Sequence, residues 1–239
     1  MEKHPVNSLS IFFPCYNEEG NIEKLINKSL AVAGAIGVDY EIIIVNDGSI
    51  DKTGEIAERL AVENPGVRVV HHKKNSGYGA ALQSGFRAAR KDYVFYTDGD
   101  GQFDIADMPA LLGHMSDYDI VSCYRIKRQD NIIRKINAFC WTTLVSMMFN
   151  LKLRDIDCAF KLYKREIFDG MNLISTGALI DTEVLSRAKA DGRTIYQTGV
   201  NHYPRLVGES SGGDIKVVLR AFKELFKLYR LMKSECSQA

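Results

Sequence analysis

The chain lacks the cysteine patterns that mark disulfide-stapled or zinc-binding proteins. Its five cysteines, at positions 15, 123, 140, 158 and 236, form an odd set with no CxxC pair and no histidine at zinc-ligand spacing. Buried, reduced thiols account for this distribution. They are typical of a cytoplasmic protein.

The sequence also has no excess of charge of one sign and no long apolar run. Thirty-one basic and thirty acidic residues give a formal net charge of +1, which argues against a nucleic-acid-binding protein that relies on phosphate neutralisation. The N-terminal segment lacks the apolar core and the cleavage site of a signal peptide. The longest apolar region, residues 136–151, contains two asparagines and is too short to span a bilayer comfortably. We therefore expect a soluble or peripheral protein.

What is present is a regular alternation of strand-like and helix-like segments. Apolar runs rich in β-branched and aromatic residues occur at 9–13, 40–45, 67–71, 93–97 and 118–122. The segments between the first four runs predict helices over 18–35, from about residue 51 to 64 and from about 76 to 89, with Asn17 capping the first. Continuous apolar strands suit a sheet that is covered on both faces, so this order predicts an α/β protein with a mostly parallel sheet. No linker, repeat or low-complexity segment divides the chain, and one domain is expected.

After residue 130 the pattern changes. It predicts a helix to about residue 151, strands at 159–163 and 194–200, a helix at 181–191 and a final helix from about residue 214. We expect this half to add mixed strands and an acceptor-facing lobe to the same sheet.

Polar, turn-forming residues follow three of the early strands. They are PCYNE (14–18), NDGS (46–49) and DGDGQ (98–102). Because ligands of open α/β sheets bind at the carboxyl ends of the strands, we expect these segments to share one rim. Taken alone, NDGS is equally consistent with a simple turn. The glycines of NSGYGAALQSG (75–85) depart from dinucleotide-binding spacing, so they indicate close packing of a helix, or approach of its N-terminus to a ligand.

The DGDGQ segment carries two carboxylates and an amide, Asp98, Asp100 and Gln102, at the end of an aromatic-rich apolar strand. Oxygen ligands of this kind suit Mg²⁺ or Mn²⁺, which usually share their shell with substrate phosphates and water. Asp-Gly pairs are also common in solvated turns. The preceding apolar strand favours a metal site at the ligand-binding rim.

Eight segments in order resemble the inverting family 2 glycosyltransferases, which have the GT-A fold. They are PCYNEEGNI, IIIVNDGSIDKT, NSGYGAALQSG, YTDGDGQFD, DIVSCYR, DIDCAFKLYKR, DTEVLSRA and NHYPRLVGESS, and they extend over nearly the whole chain. Within that family the sequence is most similar to the polyprenyl-phosphate glycosyltransferases typified by dolichyl-phosphate mannosyltransferase. The resemblance implies a GT-A catalytic domain over residues 1–213, a single Rossmann-like three-layer α/β domain with a mostly parallel, mixed sheet.

The resemblance also implies roles for individual residues. A nucleotide-sugar pocket would be lined by Pro14, Tyr16, Glu18, Asp47, Asp98 and Asp157. Asp98, Asp100 and Gln102 match the family's metal-binding DxDxQ. Asp100, Arg125 and Arg205 are the implied catalytic residues, since both arginines match positions that face phosphate groups, for which a guanidinium is well suited.

Two departures from the family pattern are evident. Asn46 stands where the family often has a second acidic residue, which bears on nucleotide recognition. Ala159 stands where it often has glycine, and this change is small chemically.

Residues 214–239 predict a basic amphipathic helix. Basic residues (Lys216, Arg220, Lys223, Lys227, Arg230) and apolar residues (Val218, Phe222, Leu225, Tyr229, Met232) each recur every three or four positions. Such a helix suits an interfacial membrane anchor, although packing of the apolar face on the domain is the commoner arrangement. Residues 132–153, with Trp141 and basic residues near both ends, are a second candidate for membrane contact, or else a dimer or core helix.

These features imply an inverting hexosyltransferase, peripheral at the cytoplasmic face of a membrane. It would transfer mannose or glucose from a GDP- or UDP-hexose to polyprenyl or dolichyl phosphate, with Mg²⁺ or Mn²⁺ as cofactor. The sequence leaves open whether a separate membrane protein is a partner. One alternative is a family 2 enzyme with a soluble saccharide hydroxyl as acceptor, in which Asp157, Asp181 or Glu183 would act as a base. Another is a non-catalytic protein that binds a nucleotide-sugar or a lipid phosphate.

Overall fold

The computed structural model describes residues 5–126, 132–204 and 215–236. Its strands are β1 (Ser8–Cys15), β2 (Asp39–Asn46), β3 (Val67–His71), β4 (Tyr93–Thr97), β5 (Ile120–Ile126), β6 (Phe160–Lys164) and β7 (Ile195–Asn201). They form one sheet in the order β3-β2-β1-β4-β6-β5-β7. Neighbouring strands are parallel except where β6 pairs with β4 and β5. The predicted single α/β domain with a mostly parallel, mixed sheet is confirmed.

Helices connect and cover these strands. They are α1 (Ile22–Ile36), α2 (Thr53–Glu63), α3 (Tyr78–Ala88), α4 (Pro109–Leu112), α5 (Ile132–Phe149), α6 (Ile180–Ala190) and α7 (Ile215–Cys236). Right-handed crossovers place α1 and α2 on one face of the sheet and α3 on the other. Accordingly, α1 packs beside α2, and α3 packs beside α6.

Helix α1 begins later than the sequence predicts, and Asn17 does not cap it. Asn17 has a left-handed backbone (φ 56°). Its N–H donates to Ser49 Oγ at 3.0 Å, and its side-chain oxygen accepts from the N–H of Ile50 at 3.0 Å. The turn after β1 is therefore tied to the loop after β2, and the helix starts beyond it at Ile22.

Aromatic side chains build the core beneath the rim. The ring of Phe12 on β1 packs 5.1 Å from Phe86 on α3 and 5.4 Å from Tyr96 on β4, measured between centroids. Phe86 in turn packs 5.7 Å from Tyr163 on β6. All four side chains are buried, so α3 is fixed to the three central strands that carry the site.

Helix α7 packs on the domain through part of its apolar face. Leu225 and Leu228 are almost fully buried, and Phe222 packs 5.4 Å from Trp141 of α5. In the described part of α7, these two leucines therefore pack on the domain, which is the second of the two arrangements that the sequence left open. Among the described residues, no helix is both long and apolar enough to cross a membrane.

Candidate active site

The strand ends bring the predicted rim segments together. Strands β1, β2 and β4 are parallel, so their carboxyl ends meet at one edge, and antiparallel β6 starts at that same edge. A Cβ at Gly99 would lie 3.1 Å from the carbonyl oxygen of Pro14, so the DGDGQ turn packs directly on PCYNE. Burial raises the pKa of the Cys15 thiol, and the negative charges of Glu18, Asp98 and Asp100 raise it further. These carboxylates therefore lie near the end of β1.

The DGDGQ turn has a defined internal geometry. Asp98 Oδ1 accepts a hydrogen bond from the hydroxyl of Tyr78 at 2.9 Å, and Asp100 Oδ1 accepts from the N–H of Gln102 at 3.0 Å. The side-chain amide of Gln102 donates to the carbonyl oxygen of Tyr203 at 3.2 Å. Its amide nitrogen is thus engaged, which leaves the oxygen as the atom suited to bind a cation.

The charge of this turn suits a divalent cation. Burial and the neighbouring Asp100 carboxylate raise the pKa of Asp98 to about 7, although the Tyr78 hydrogen bond acts in the opposite direction. Two crowded carboxylates are relieved by a bound cation, so Asp98, Asp100 and Gln102 fit Mg²⁺ or Mn²⁺ chemically. Within the described ranges, no group of three or more His, Cys, Asp or Glu side chains forms a metal site by itself. Ligands from a diphosphate and water would complete the shell.

Asp47, at the carboxyl end of β2, holds the loop before α3 by hydrogen bonds to its backbone. Its carboxylate is 3% exposed and accepts from the N–H groups of Ser76 at 2.9 Å and Gly77 at 3.0 Å. His72 Nδ1 lies 2.6 Å from the same carboxylate. The structure therefore places Asp47 beneath the loop that precedes α3, where it determines the loop's shape.

Glu18 and Tyr16 occupy different environments at the end of β1. Glu18 is buried, and its carboxylate accepts from the side-chain amide of Asn21 at 2.7 Å. Its N–H donates to Thr53 Oγ1 at 2.7 Å, which ties it to the start of α2. Tyr16 is 42% exposed, so its ring is accessible at the rim.

Arg125 is held by the carboxylate of Asp155, which was not among the predicted site residues. Its guanidinium donates from Nε to Asp155 Oδ2 and from an Nη to Asp155 Oδ1, each at 2.7 Å. Burial alone would lower the pKa of Arg125, but the hydrogen bonds and charge of Asp155 raise it, so the side chain stays a cation. A paired guanidinium edge thus anchors the loop that leads to β6. The predicted contact of Arg125 with a phosphate stays a prediction.

A buried ion pair joins strand β6 to the start of helix α6. Lys161 on β6 is fully buried, and its ammonium donates to Asp181 Oδ1 at 2.8 Å and to the carbonyl oxygen of Cys158 at 2.6 Å. Tyr96 donates its hydroxyl to the same Asp181 oxygen. Asp181 lies in the first turn of α6, and its carboxylate pairs with Lys161. In the sequence, the feature that indicates this buried ion pair is a lysine within an otherwise apolar strand.

Asp157 is accessible yet crowded by negative charge. Partial burial, together with the charges of Asp181 and Asp155, raises the pKa of Asp157 to about 6. Its side chain nevertheless remains reachable by solvent, so enclosure is partial and the neighbouring carboxylates matter. Lys161 and Arg125 act in the opposite direction. Arg205, the second predicted arginine, lies outside the described residues.

The glycines before and within α3 serve close packing. A Cβ on Gly79 would lie 2.5 Å from the carbonyl oxygen of Ser175, and one on Gly77 would lie 2.6 Å from that of Thr176. Of the two roles considered for these glycines, packing is the one observed.

Residues 10–171 match the model of glycosyl transferase family 2, and the chain belongs to that family. It is 29% identical over 225 residues to an undecaprenyl-phosphate 4-deoxy-4-formamido-L-arabinose transferase of Pseudomonas fluorescens strain SBW25, covering 93% of this chain and 65% of the relative. A relative of the same description from strain Pf0-1 is 31% identical, covering 72% of this chain and 51% of the relative. The chain thus spans about half to two thirds of these relatives.

Solved structures with a similar fold are glycosyltransferases of the GT-A type. Mannosyl-3-phosphoglycerate synthase from Rubrobacter xylanophilus superposes with a TM-score of 0.72 at 14% identity, covering 98% of this chain and 76% of that one. Glucosyl-3-phosphoglycerate synthase from Mycobacterium tuberculosis, in complex with Mn²⁺, UDP and phosphoglyceric acid, gives a TM-score of 0.67 at 20% identity, covering 94% and 75%. At these identities the comparison establishes the GT-A fold alone.

Proposed function

We propose that this protein transfers a sugar from a nucleoside diphosphate sugar to polyprenyl phosphate. The observation that carries the proposal is the DGDGQ turn, whose crowded carboxylates lie at the rim beside an exposed tyrosine. Family membership and the polyprenyl-phosphate acceptor named in the relatives support it. We propose mannose or glucose as the sugar and residues 1–213 as the catalytic domain.

On the donor side, Asp98, Asp100 and the oxygen of Gln102 would hold Mg²⁺ or Mn²⁺. The bound cation would supply neutralisation of the charge that develops on the leaving diphosphate. Tyr16 offers an exposed ring on which a base can stack. Asp47 would act indirectly, by holding the loop at residues 76–77 in place.

On the acceptor side, a phosphate oxygen is already anionic at neutral pH. It needs no strong base to remove a proton before it attacks the anomeric carbon. Arg205 is proposed to meet the phosphate groups, as is Arg125 through the part of its guanidinium that Asp155 does not hold. Asp157 would then bind the sugar.

A membrane surface is proposed as the source of the acceptor. Helix α7 exposes Phe226 at 53% and Met147 of α5 is exposed at 79%, while Lys223, Lys227 and Arg230 are also exposed. Apolar side chains beside basic ones suit the interface of an anionic leaflet, where each basic group contributes about 1 kcal/mol. The protein would thus be peripheral at the cytoplasmic face of a membrane.

The activity test uses purified protein with Mn²⁺ or Mg²⁺, a short polyprenyl phosphate and a panel of donors. The panel contains GDP-mannose, UDP-glucose and a UDP-4-formamido-arabinose, because the relatives' names specify that last sugar. Asp100→Asn should abolish glycolipid formation, whereas exposed Asp117→Asn should leave it unchanged. The proposal is wrong if no donor yields a glycolipid, and the metal assignment is wrong if Asp100→Asn retains turnover.

The membrane test measures co-sedimentation with vesicles that contain an anionic phospholipid. Phe226→Ser should weaken binding by about tenfold or more, since burying a large aromatic side chain contributes about 1.5–3 kcal/mol and about 1.4 kcal/mol is a factor of ten in affinity. Val62→Ser removes an apolar side chain that is even more exposed, on α2, and should have no effect. Equal loss in both variants, or none in either, would contradict the assigned surface.

A second function is favoured by the raised pKa of Asp157, about 6, which suits a general base for a saccharide hydroxyl acceptor. Asp157→Asn separates the two acceptors. With a hydroxyl acceptor the variant should lose at least 100-fold in turnover, whereas a phosphate acceptor predicts a much smaller loss. Tight donor binding without any product would instead favour the non-catalytic protein.

A further inference from the structure

Helix α3 places a tyrosine hydroxyl against the DGDGQ turn. Tyr78 is the first residue of α3, and its hydroxyl donates to Asp98 Oδ1 at 2.9 Å. Asp98 itself belongs to a turn rich in glycine, with Gly99 and Gly101 on either side of Asp100. Gly101 has a left-handed backbone (φ 74°), which glycine adopts without strain, and the Asp98 carboxylate is reached by a contact from outside this turn. Tyr78 provides that contact from a different element.

The position of Tyr78 is itself fixed by the loop at residues 174–177. Gly79 leaves no room for a Cβ against the carbonyl oxygen of Ser175, as described above. The N–H of Ala80 donates to the carbonyl oxygen of Thr176 at 3.2 Å, and the side-chain amide of Gln83 donates to that of Ser175 at 2.9 Å. The first turn of α3 is therefore seated on this loop.

A buried carboxylate holds the loop in turn. Glu183 of α6 is fully buried, and it accepts from the N–H groups of Ile174 at 3.0 Å and Ser175 at 2.7 Å. Arg187 donates to it from Nε at 3.0 Å. The chain of contacts runs from α6 through the loop to α3, and ends at Asp98.

We propose that Tyr78 is a positioning residue that orients the Asp98 carboxylate toward the divalent cation of the donor site. The proposal rests on the proposed function, because it requires that cation. A hydrogen bond to one carboxylate oxygen sets the plane of the group, and therefore the direction of the second oxygen. Removing such outer contacts from metal sites typically weakens metal binding by about 10- to 100-fold.

The test measures Mn²⁺ binding in the presence of UDP by electron paramagnetic resonance, so that it does not depend on turnover. Tyr78→Phe should weaken binding by about tenfold or more. Tyr163→Phe is the matched control, because the buried hydroxyl of Tyr163 has no hydrogen-bond partner among the described residues. Both variants are compared with the wild type at equal folded fraction, measured by circular dichroism.

A second pair of variants perturbs Tyr78 without changing it. Gly79→Ala pushes the first turn of α3 off the 174–177 loop and should also weaken Mn²⁺ binding. Gly113→Ala adds the same methyl group where no atom lies within 4 Å and the backbone is helical, so binding should be unchanged.

The outcomes separate the positioning role from the proposed function. Wild-type protein that binds no Mn²⁺ would overturn both. Mn²⁺ binding that is equal in the wild type and in Tyr78→Phe would overturn the positioning role alone. A purely structural role predicts lower thermal stability in Tyr78→Phe with unchanged metal affinity, and this result would also overturn it.

Discussion

Replacing Lys161 by methionine tests whether the buried ion pair stabilises the floor of the site. Lys161 is 0% exposed and Asp181 is 3% exposed. The ammonium makes three hydrogen bonds, to Asp181 at 2.8 Å, to the carbonyl oxygen of Cys158 at 2.6 Å and to Tyr96 Oη at 3.2 Å. All three donors of the ammonium are therefore satisfied. Methionine preserves most of the volume and removes the charge.

The expected cost follows from what the substitution leaves behind. In Lys161→Met the buried Asp181 carboxylate loses its cationic partner. Removing one partner of a buried ion pair typically costs about 3–5 kcal/mol of folding free energy. This is a large share of the roughly 5–15 kcal/mol by which domains are stable. Adding Asp181→Asn removes the unpaired charge. The free energy of unfolding of the double variant should therefore fall by about 2 kcal/mol less than the summed losses of the two single variants.

Urea unfolding of the wild type, both single variants and the double variant measures this coupling. Lys91→Met is the matched control, since Lys91 pairs with a mostly exposed Asp39 and such pairs contribute about 0–1 kcal/mol. The reasoning is refuted if Lys161→Met costs no more than the control. It is equally refuted if the two substitutions add without coupling.

Two further predictions concern the charges around this pair. The pKa of Asp157 in the folded protein, about 6, lies above its ordinary value of 3.8, so its ionised form destabilises the fold increasingly between those pH values. Asp157→Asn should therefore raise the melting temperature at pH 8 and leave it unchanged at pH 3, and equal shifts at both would contradict this. Arg125→Lys cannot reproduce the two-bond contact with Asp155 and should lower the free energy of unfolding by about 1–3 kcal/mol in urea. A neutral result would show that the pair contributes little.

The order of strands and helices could be predicted because it depends on local patterns. Continuous apolar runs indicated strands covered on both faces, and amphipathic segments indicated the crossover helices. The start of α1 could not be predicted in this way. Asn17 bonds to Ser49 and Ile50, which are more than thirty residues away along the chain, and this contact replaces the expected helix cap.

The site was predictable where position along a strand was sufficient. Asp98 and Asp100 follow β4, and their place at the rim needed no knowledge of partners. The partners themselves depend on three-dimensional packing. Lys161 meets Tyr96 because β6 runs antiparallel to β4 in the register that pairs these residues. The sequence predicts mixed strands in this half of the chain, but it does not indicate which strand is reversed or in what register it pairs.

Five acidic residues near the rim fall into two groups according to the environment of their carboxylates. Asp47, Asp155 and Glu183 accept hydrogen bonds from backbone N–H groups or guanidinium groups, so they hold loops in place. Asp98 and Asp157 instead have pKa values raised by enclosure and by other carboxylates, so their ionised forms weaken the folded state at neutral pH. A cation that binds the folded protein removes this penalty at Asp98 and adds stability by mass action. Mn²⁺ should therefore raise the melting temperature of the wild type more than that of Asp98→Asn, although the variant starts from the higher value without metal.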